Sequence, residues 1–95
     1  MTAYVVARVA VRDREPYDRY AAAFLPVLQQ YGGRLLSADE APEPMEGDDT
    51  RKVVLLAFES RDAALTWAHS PEYQTIAKDR IASADVVSVL AKGVS

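Results

Sequence analysis

Three segments of the sequence are apolar on both of their alternating faces, and this pattern limits the folds open to the chain. They are Tyr4–Val11, Lys52–Glu59 and Val86–Lys92, and their many β-branched residues favour strands. In the first segment one face is wholly apolar, and the other is apolar apart from Arg8. Soluble monomers rarely expose an apolar patch larger than a few hundred Å². Both faces of the predicted sheet are therefore expected to be covered.

An amphipathic segment after the first strand predicts a helix that covers one of these faces. Asp13 is a suitable N-cap, because its side chain can accept a hydrogen bond from the first helical turn. Apolar residues then recur at helical spacing as far as Tyr31, and Gly32-Gly33 ends the helix. Pro26 lies inside this helix and is expected to kink it, since proline removes one backbone hydrogen bond.

Two serines predict the starts of two further helices. Ser60 is placed to cap a helix over Arg61–His69. Ser70 is placed to cap another, and Pro71 fits the first turn of that helix. These two helices form a pair between the third and fourth predicted strands.

The order of the predicted elements is typical of one fold. A strand over Arg34–Glu40 and a polar loop over Ala41–Thr50 complete the order strand, helix, strand, strand, helix pair, strand. This order predicts an α+β protein with the ferredoxin-like βαββαβ sandwich and an antiparallel four-stranded sheet. All 95 residues fit a single domain, 1–95.

In a ferredoxin-like fold the helices cover one face of the sheet and leave the other face open. Because the strands are apolar on both faces, the simplest arrangement is a homodimer in which two open faces pack together as a dimeric α+β barrel. The alternative is that loops of the same chain cover the sheet. The pattern leaves open which strand face packs on the helices.

Charge and composition exclude several function classes. The net charge of −3 argues against nucleic acid or an anionic membrane as a partner. The absence of cysteine excludes disulfides, cysteine-based metal sites and thiol catalysis. The chain enters an apolar strand directly, without the pattern of a signal peptide, and no apolar run approaches the roughly 20 residues of a membrane helix. A cytoplasmic protein is expected.

Three short motifs are distinctive. They are Tyr31-Gly32-Gly33-Arg34 after an amphipathic helix, Phe58-Glu59-Ser60-Arg61 at a strand end, and Ser70-Pro71-Glu72-Tyr73-Gln74 shortly after Trp67. With these motifs the chain resembles the DUF1330 family over nearly its whole length. The resemblance implies a ferredoxin-like protomer, the dimeric α+β barrel and no established activity. Broader structural relatives include cofactor-free monooxygenases, muconolactone-isomerase-like enzymes and haem-binding barrels, whose functions do not transfer with the fold.

Two residues are candidates for catalysis, and each has an alternative interpretation. His69 is suited to general-base catalysis near neutral pH, or it is a half-exposed residue at a helix C-terminus, where a cation is favourable. Arg8 either holds a ligand carboxylate or pairs with Glu59, Asp85 or another acid, since burying it unpaired is costly. The same ambiguity applies to two other cations, Arg34 and Arg80.

A cleft between helices and sheet is the expected ligand site. Trp67 and Tyr73 either form its walls or pack the short helices against the sheet, and Ser88 is interpreted as a filler on the last strand. One histidine without cysteines or paired carboxylates does not predict a metal site, and no cofactor is expected. The residues predicted to line the cleft are Tyr4, Arg8, Tyr20, Tyr31, His69 and Tyr73.

The sequence favours three functions without deciding among them. The first is the binding of a small organic molecule in the cleft. The second is a cofactor-independent monooxygenase or isomerase/cyclase on small aromatic or polyketide-like substrates, in which His69 or a tyrosine moves the proton and Arg8 stabilises an enolate-like anion. The third is a structural or interaction module with no ligand.

Overall fold

The predicted ferredoxin-like α+β fold is confirmed in the computed structural model, which describes residues 1–94. Both predicted short helices are present, one directly after the other. The elements are β1 (Ala3–Val11), α1 (Arg14–Gln30), β2 (Arg34–Asp39), β3 (Lys52–Phe58), α2 (Arg61–His69), α3 (Pro71–Ser83) and β4 (Ala84–Lys92).

The four strands form one antiparallel sheet in the order β2-β3-β1-β4. β1 is therefore a central strand, and its Val5 lies opposite Leu56 of β3 and Leu90 of β4. A register shift in the β2-β3 pairing falls between Leu35 and Ser37. The sheet places the side chains of successive residues on opposite faces, so the register fixes which residues share a face.

The helices cover the face formed by the odd-numbered residues of β1. Val5, Ala7 and Val9 pack against the core on this side, together with Leu56 and Phe58 of β3. Tyr4, Val6 and Arg8 therefore point to the other face, which no helix covers. The structure thus shows which face of β1 packs on the helices, a point that the apolar pattern of the sequence left open.

α1 begins and ends as its sequence predicts. The Asp13 side chain accepts a hydrogen bond from the Glu15 backbone N–H, and the helix continues through Pro26 to Gln30. Gly33 is buried where α1 turns into β2. A Cβ built there would lie 2.4 Å from Cδ1 of Leu28 and 2.8 Å from Cε1 of Phe58, which are both fully buried. The turn thus requires glycine because backbone and core meet there.

β4 begins two residues earlier than the sequence predicts. Ala84 pairs with Val11 and Asp85 pairs with Ala10, so the strand follows α3 without a loop. Alanine and aspartate have weak strand propensity, and for this reason the pattern placed the start at Val86. The pairing with the long central strand β1 outweighs that local preference.

The loop between β2 and β3 covers one end of the open face. Arg8 reaches across to this loop, where its Nη2 lies 3.2 Å from a carboxylate oxygen of Asp49 and donates to the backbone carbonyls of Asp49 and Arg51. The Arg51 side chain also donates to Asp49, at 2.7 Å, and these contacts hold the pKa of that carboxyl well below its usual range. Toward the β4 edge the open face is exposed, with Val87 at 59% and Val89 at 58%.

Candidate functional site

A cavity of about 680 Å³ lies between the helices and the sheet, within one protomer. Residues of all three helices and all four strands line it. The register places Ala7 opposite Ser88 on the helix-facing surface, and both side chains are small. Small residues of α1 and α2, Ala21, Ala64 and Ala68, face the same space. The cavity exists because small side chains meet where a fully packed sandwich would place large ones.

Aromatic rings form much of the cavity wall. The ring centroids of Trp67 and Tyr73 are 4.3 Å apart, and Phe24 meets Trp67 edge-on at 6.1 Å. Trp67 and Tyr73 are 5% and 8% exposed, so they pack the short helices and line the cavity at once. Lining a ligand site and packing the short helices are thus compatible roles for Trp67 and Tyr73. Such a wall suits an organic molecule with an apolar or aromatic body.

Two tyrosine hydroxyls meet at the wall of the cavity. The Tyr20 and Tyr73 oxygens are 2.8 Å apart and buried. Burial, followed by the influence of Tyr73, raises the pKa of Tyr20 far above its ordinary value. Tyr20 therefore stays protonated near neutral pH and acts as a neutral hydrogen-bonding group rather than as a base.

Two cations reach the cavity, and their surroundings differ. Lys52 has its Nζ 3.5 Å from a Glu40 carboxylate oxygen and 5.0 Å from the centroid of the Tyr17 ring. Arg80 has no ion-pair partner among the residues that the structure describes, and its Nε is buried without a hydrogen bond. The indole Nε1 of Trp67 is a second buried donor without a partner. The site thus contains buried donors that a ligand could satisfy.

His69 lies at the end of α2, exposed, where it borders both this cavity and a shallower depression of about 530 Å³. Tyr31 belongs to that depression, and its hydroxyl donates to a Glu72 carboxylate oxygen at 2.7 Å. This hydrogen bond lowers the pKa of Glu72 and raises that of Tyr31. Tyr31 is thus engaged at the surface, near the rim.

The six residues predicted to line one cleft lie in three places. Tyr20, His69 and Tyr73 border the cavity, and Tyr31 borders the neighbouring depression. Tyr4 and Arg8 lie on the opposite face of the sheet, because the even-numbered residues of β1 point away from the helices. The acid that pairs with Arg8 is Asp49 rather than Glu59 or Asp85.

The residues predicted from the sequence to line the cleft do not include several that border the cavity. Ser88 is part of the wall, and the signal for it was a small polar residue that interrupts an otherwise apolar strand. Arg80 was recognised as ambiguous, and its position at helical spacing from Tyr73 and Ala77 was the signal that it shares their face. Lys52 and Gln74 carry no comparable signal, since each lies where a solvated side chain is ordinary.

Residues 1–94 lack two other kinds of feature. This part of the chain contains no group of three or more histidine or acidic side chains placed to hold a metal ion. It also contains no helix that is long and apolar enough to cross a membrane.

Solved structures with the same fold come from several bacteria. A protein of unknown function from Rhodopseudomonas palustris has a TM-score of 0.82 and 18% identity, with 99% of this chain and 83% of that chain covered. SnoaB, a cofactor-independent oxygenase from Streptomyces nogalater, has a TM-score of 0.66 and 16% identity, with 99% and 94% covered. A dimeric ferredoxin-like protein of unknown function from Jannaschia has a TM-score of 0.69 and 15% identity, with 98% and 100% covered. At these identities the likeness shows the fold alone.

Sequence comparison gives a family and no characterised relative. No curated protein matches the chain. The profile described as "Domain of unknown function (DUF1330)" matches residues 2–94, which is nearly the whole sequence. The chain therefore belongs to the DUF1330 family, as its Tyr-Gly-Gly-Arg and Ser-Pro-Glu-Tyr-Gln motifs indicated.

Proposed function

We propose that this protein binds a small, mainly apolar organic molecule in the cavity between its sheet and helices. The observation that supports this most is an aromatic-walled space of about 680 Å³, bordered by buried donors that lack partners. Ligand sites in proteins are typically cavities of roughly 300–1,000 Å³ with apolar walls and a few polar groups. A core that served only stability would be packed without such a space.

The test of this proposal fills the cavity and measures binding of a neutral aromatic probe. Ala7→Leu adds side-chain volume on the strand that forms part of the cavity floor. Val6→Leu adds volume to the next residue of the same strand, on the opposite face, and serves as the matched control. Isothermal titration calorimetry with 1-naphthamide is expected to show saturable binding to the wild type and to Val6→Leu, and none to Ala7→Leu. Equal binding by both variants would locate the probe elsewhere and refute the proposal.

A second candidate function is cofactor-independent oxygenation of a small aromatic substrate. It is supported by the cavity and by the fold shared with SnoaB, a cofactor-independent oxygenase. Because burial keeps Tyr20 protonated, the imidazole of His69 is the better group for proton transfer near neutral pH. Oxygen uptake with a naphthohydroquinone, above the rate without protein and lost in His69→Ala, would support this function. Uptake no faster than that background would exclude it for this substrate class.

The open face of the sheet supports a further part of the proposal, a homodimer. Val87 and Val89 lie opposite Arg8 and Val6 in the register, on the uncovered face, and are 59% and 58% exposed. Solved ferredoxin-like proteins from Jannaschia and Bacteroides fragilis are described as dimeric. Packing two such faces together would bury apolar side chains that are costly to leave in water.

A further inference from the structure

We propose that the ligand of the cavity is an organic monoanion, such as an aromatic carboxylate, whose charged group is bound by Arg80; this rests on the proposed function above. The argument starts from the position of Arg80 in α3. Tyr73, Ala77 and Arg80 recur at the spacing of one helix face, and the first two are 8% and 2% exposed. Arg80 therefore starts on the buried face of α3, and it borders the cavity.

The charge of Arg80 is not balanced by the protein. Its side chain makes no hydrogen bond or ion pair with any residue in 1–94, although its Nε is buried. No aspartate or glutamate is among the described residues that border the cavity. Arg80 is half-buried, and its Nε–H has lost water without gaining a hydrogen-bond partner, which is unfavourable. An anionic ligand would supply the missing partner.

The other acidic side chains near α3 are already engaged. Asp79 is 3.3 Å from the Arg19 guanidinium, and Asp85 is 3.2 Å from the Arg12 guanidinium. Lys52, the second cation at the cavity, has both a carboxylate and an aromatic ring as neighbours. One unmatched positive charge thus remains at the cavity, and one negative charge on the ligand balances it.

The surrounding groups favour a carboxylate or an acidic hydroxyl with an aromatic body. The guanidinium presents its donors in a plane that suits a carboxylate. The field of Arg80 lowers the pKa of Tyr20 slightly against the larger effect of burial, so the cation lies within electrostatic reach of the Tyr20–Tyr73 hydroxyl pair. The unpaired Nε1 of Trp67 offers a further hydrogen bond to an acceptor on the ligand body.

The test compares two probes of the same shape, 1-naphthoate and neutral 1-naphthamide, by isothermal titration calorimetry. Since hydrogen bonds to charged groups are stronger than neutral ones, the wild type is expected to bind naphthoate about tenfold or more tightly than naphthamide. Arg80→Gln is expected to reduce this preference to about twofold or less, because the carboxylate then loses its charged partner. Lys52→Gln is the matched control and is expected to keep the preference, because Lys52 already has partners.

Each outcome bears on one proposal. Naphthamide binding without a preference for naphthoate would overturn the monoanion and leave the cavity function standing. A preference that persists in Arg80→Gln would overturn the role of Arg80. Failure of both probes to bind would overturn the proposed function itself. The wild-type comparison needs no variant, and Arg80→Gln is expected to fold, because Arg80 is half-buried and makes no hydrogen bond or ion pair with residues 1–94.

Discussion

At the scale of single residues, the hydroxyl pair of Tyr20 and Tyr73 joins stability to the site. Tyr73→Phe leaves the buried Tyr20 hydroxyl without its partner and is expected to lower the free energy of unfolding by about 1–3 kcal/mol. Urea unfolding measures this change. The double variant Tyr20→Phe/Tyr73→Phe should recover part of the loss, since neither polar group then remains. Additive losses in the double variant would show that the hydrogen bond contributes nothing.

The Tyr31–Glu72 hydrogen bond predicts a dependence of stability on pH. The lowered pKa of Glu72 means that its contribution is present above the ordinary carboxyl pKa and is lost as the pH falls through the folded value. The raised pKa of Tyr31 means that its contribution is present below the ordinary phenol pKa and is lost as the pH rises through the folded value. The bond should therefore stabilise the protein most between these limits.

Tyr31→Phe tests this dependence. The gap in melting temperature between wild type and variant should be largest near neutral pH and should shrink toward both ends of the pH range. Tyr4→Phe, on the open face of the sheet, is the control and should give a gap that does not change at acid pH. If the difference in melting temperature between wild type and Tyr31→Phe stays constant from acid to neutral pH, the pKa of Glu72 does not depend on the Tyr31 hydroxyl.

Residue identity alone predicted part of the site. Trp67, Tyr73 and His69 stood out because of their chemistry, and the structure places all three at the cavity. Tyr4 and Arg8 were grouped with them because a cation in an apolar strand resembles a pocket wall. Which face of β1 meets the helices depends on the packing of the whole sandwich, and alternation within one strand cannot decide it.

At the scale of elements, Ser70 links α2 to α3 through two hydrogen bonds. Its hydroxyl donates to the Trp67 carbonyl at 2.8 Å and accepts from the Tyr73 backbone N–H at 3.1 Å, and the residue is 5% exposed. Ser70→Ala is expected to lower the free energy of unfolding by about 2 kcal/mol, because the buried cap and the hydroxyl that donates to the Trp67 carbonyl are both lost. Ser60→Ala removes a single cap bond, to the Ala63 N–H, and is the matched control at about 1 kcal/mol.

Chemical denaturation of Ser70→Ala and Ser60→Ala measures the two losses of unfolding free energy. The Ser70 variant should also weaken ligand binding, since this turn fixes Trp67 and Tyr73 against each other. Equal losses of unfolding free energy in the two variants would mean that the second hydrogen bond and the burial of Ser70 add no stability.

The elements themselves were largely predictable from the sequence. Caps at Asp13, Ser60 and Ser70 each act on the N–H groups of the next turn, so they fix helix starts locally. The start of β4 was harder, because Ala84 and Asp85 are held in the strand by pairing with β1 rather than by their own preference.

At the scale of the whole molecule, the open sheet face predicts the oligomeric state. Val87→Asp places a charge on this face and is expected to turn a dimer into a monomer, as measured by sedimentation velocity. Ile81→Asp is the control, since Ile81 is 63% exposed but lies on α3, away from the open face. A monomeric wild type, or a dimer that survives Val87→Asp, would contradict the proposed interface.

The cavity is the feature that the sequence predicted least well. Its volume arises from small residues such as Ala7 and Ser88 that meet only after the strands pair, and each looks ordinary within its own segment. The fold class follows from the order of elements, whereas empty space depends on distant residues that fail to fill it.

Proton–nitrogen correlation NMR tests most directly whether this cavity is the binding site. The chain has one tryptophan, so the Trp67 indole N–H gives one indole signal, and the Arg80 Nε–H reports the proposed anion contact. On titration with 1-naphthoate, both signals are expected to shift saturably with the same dissociation constant. Binding that shifts backbone signals of Val6 and Val87 on the open face, while the Trp67 and Arg80 signals stay unchanged, would contradict the account.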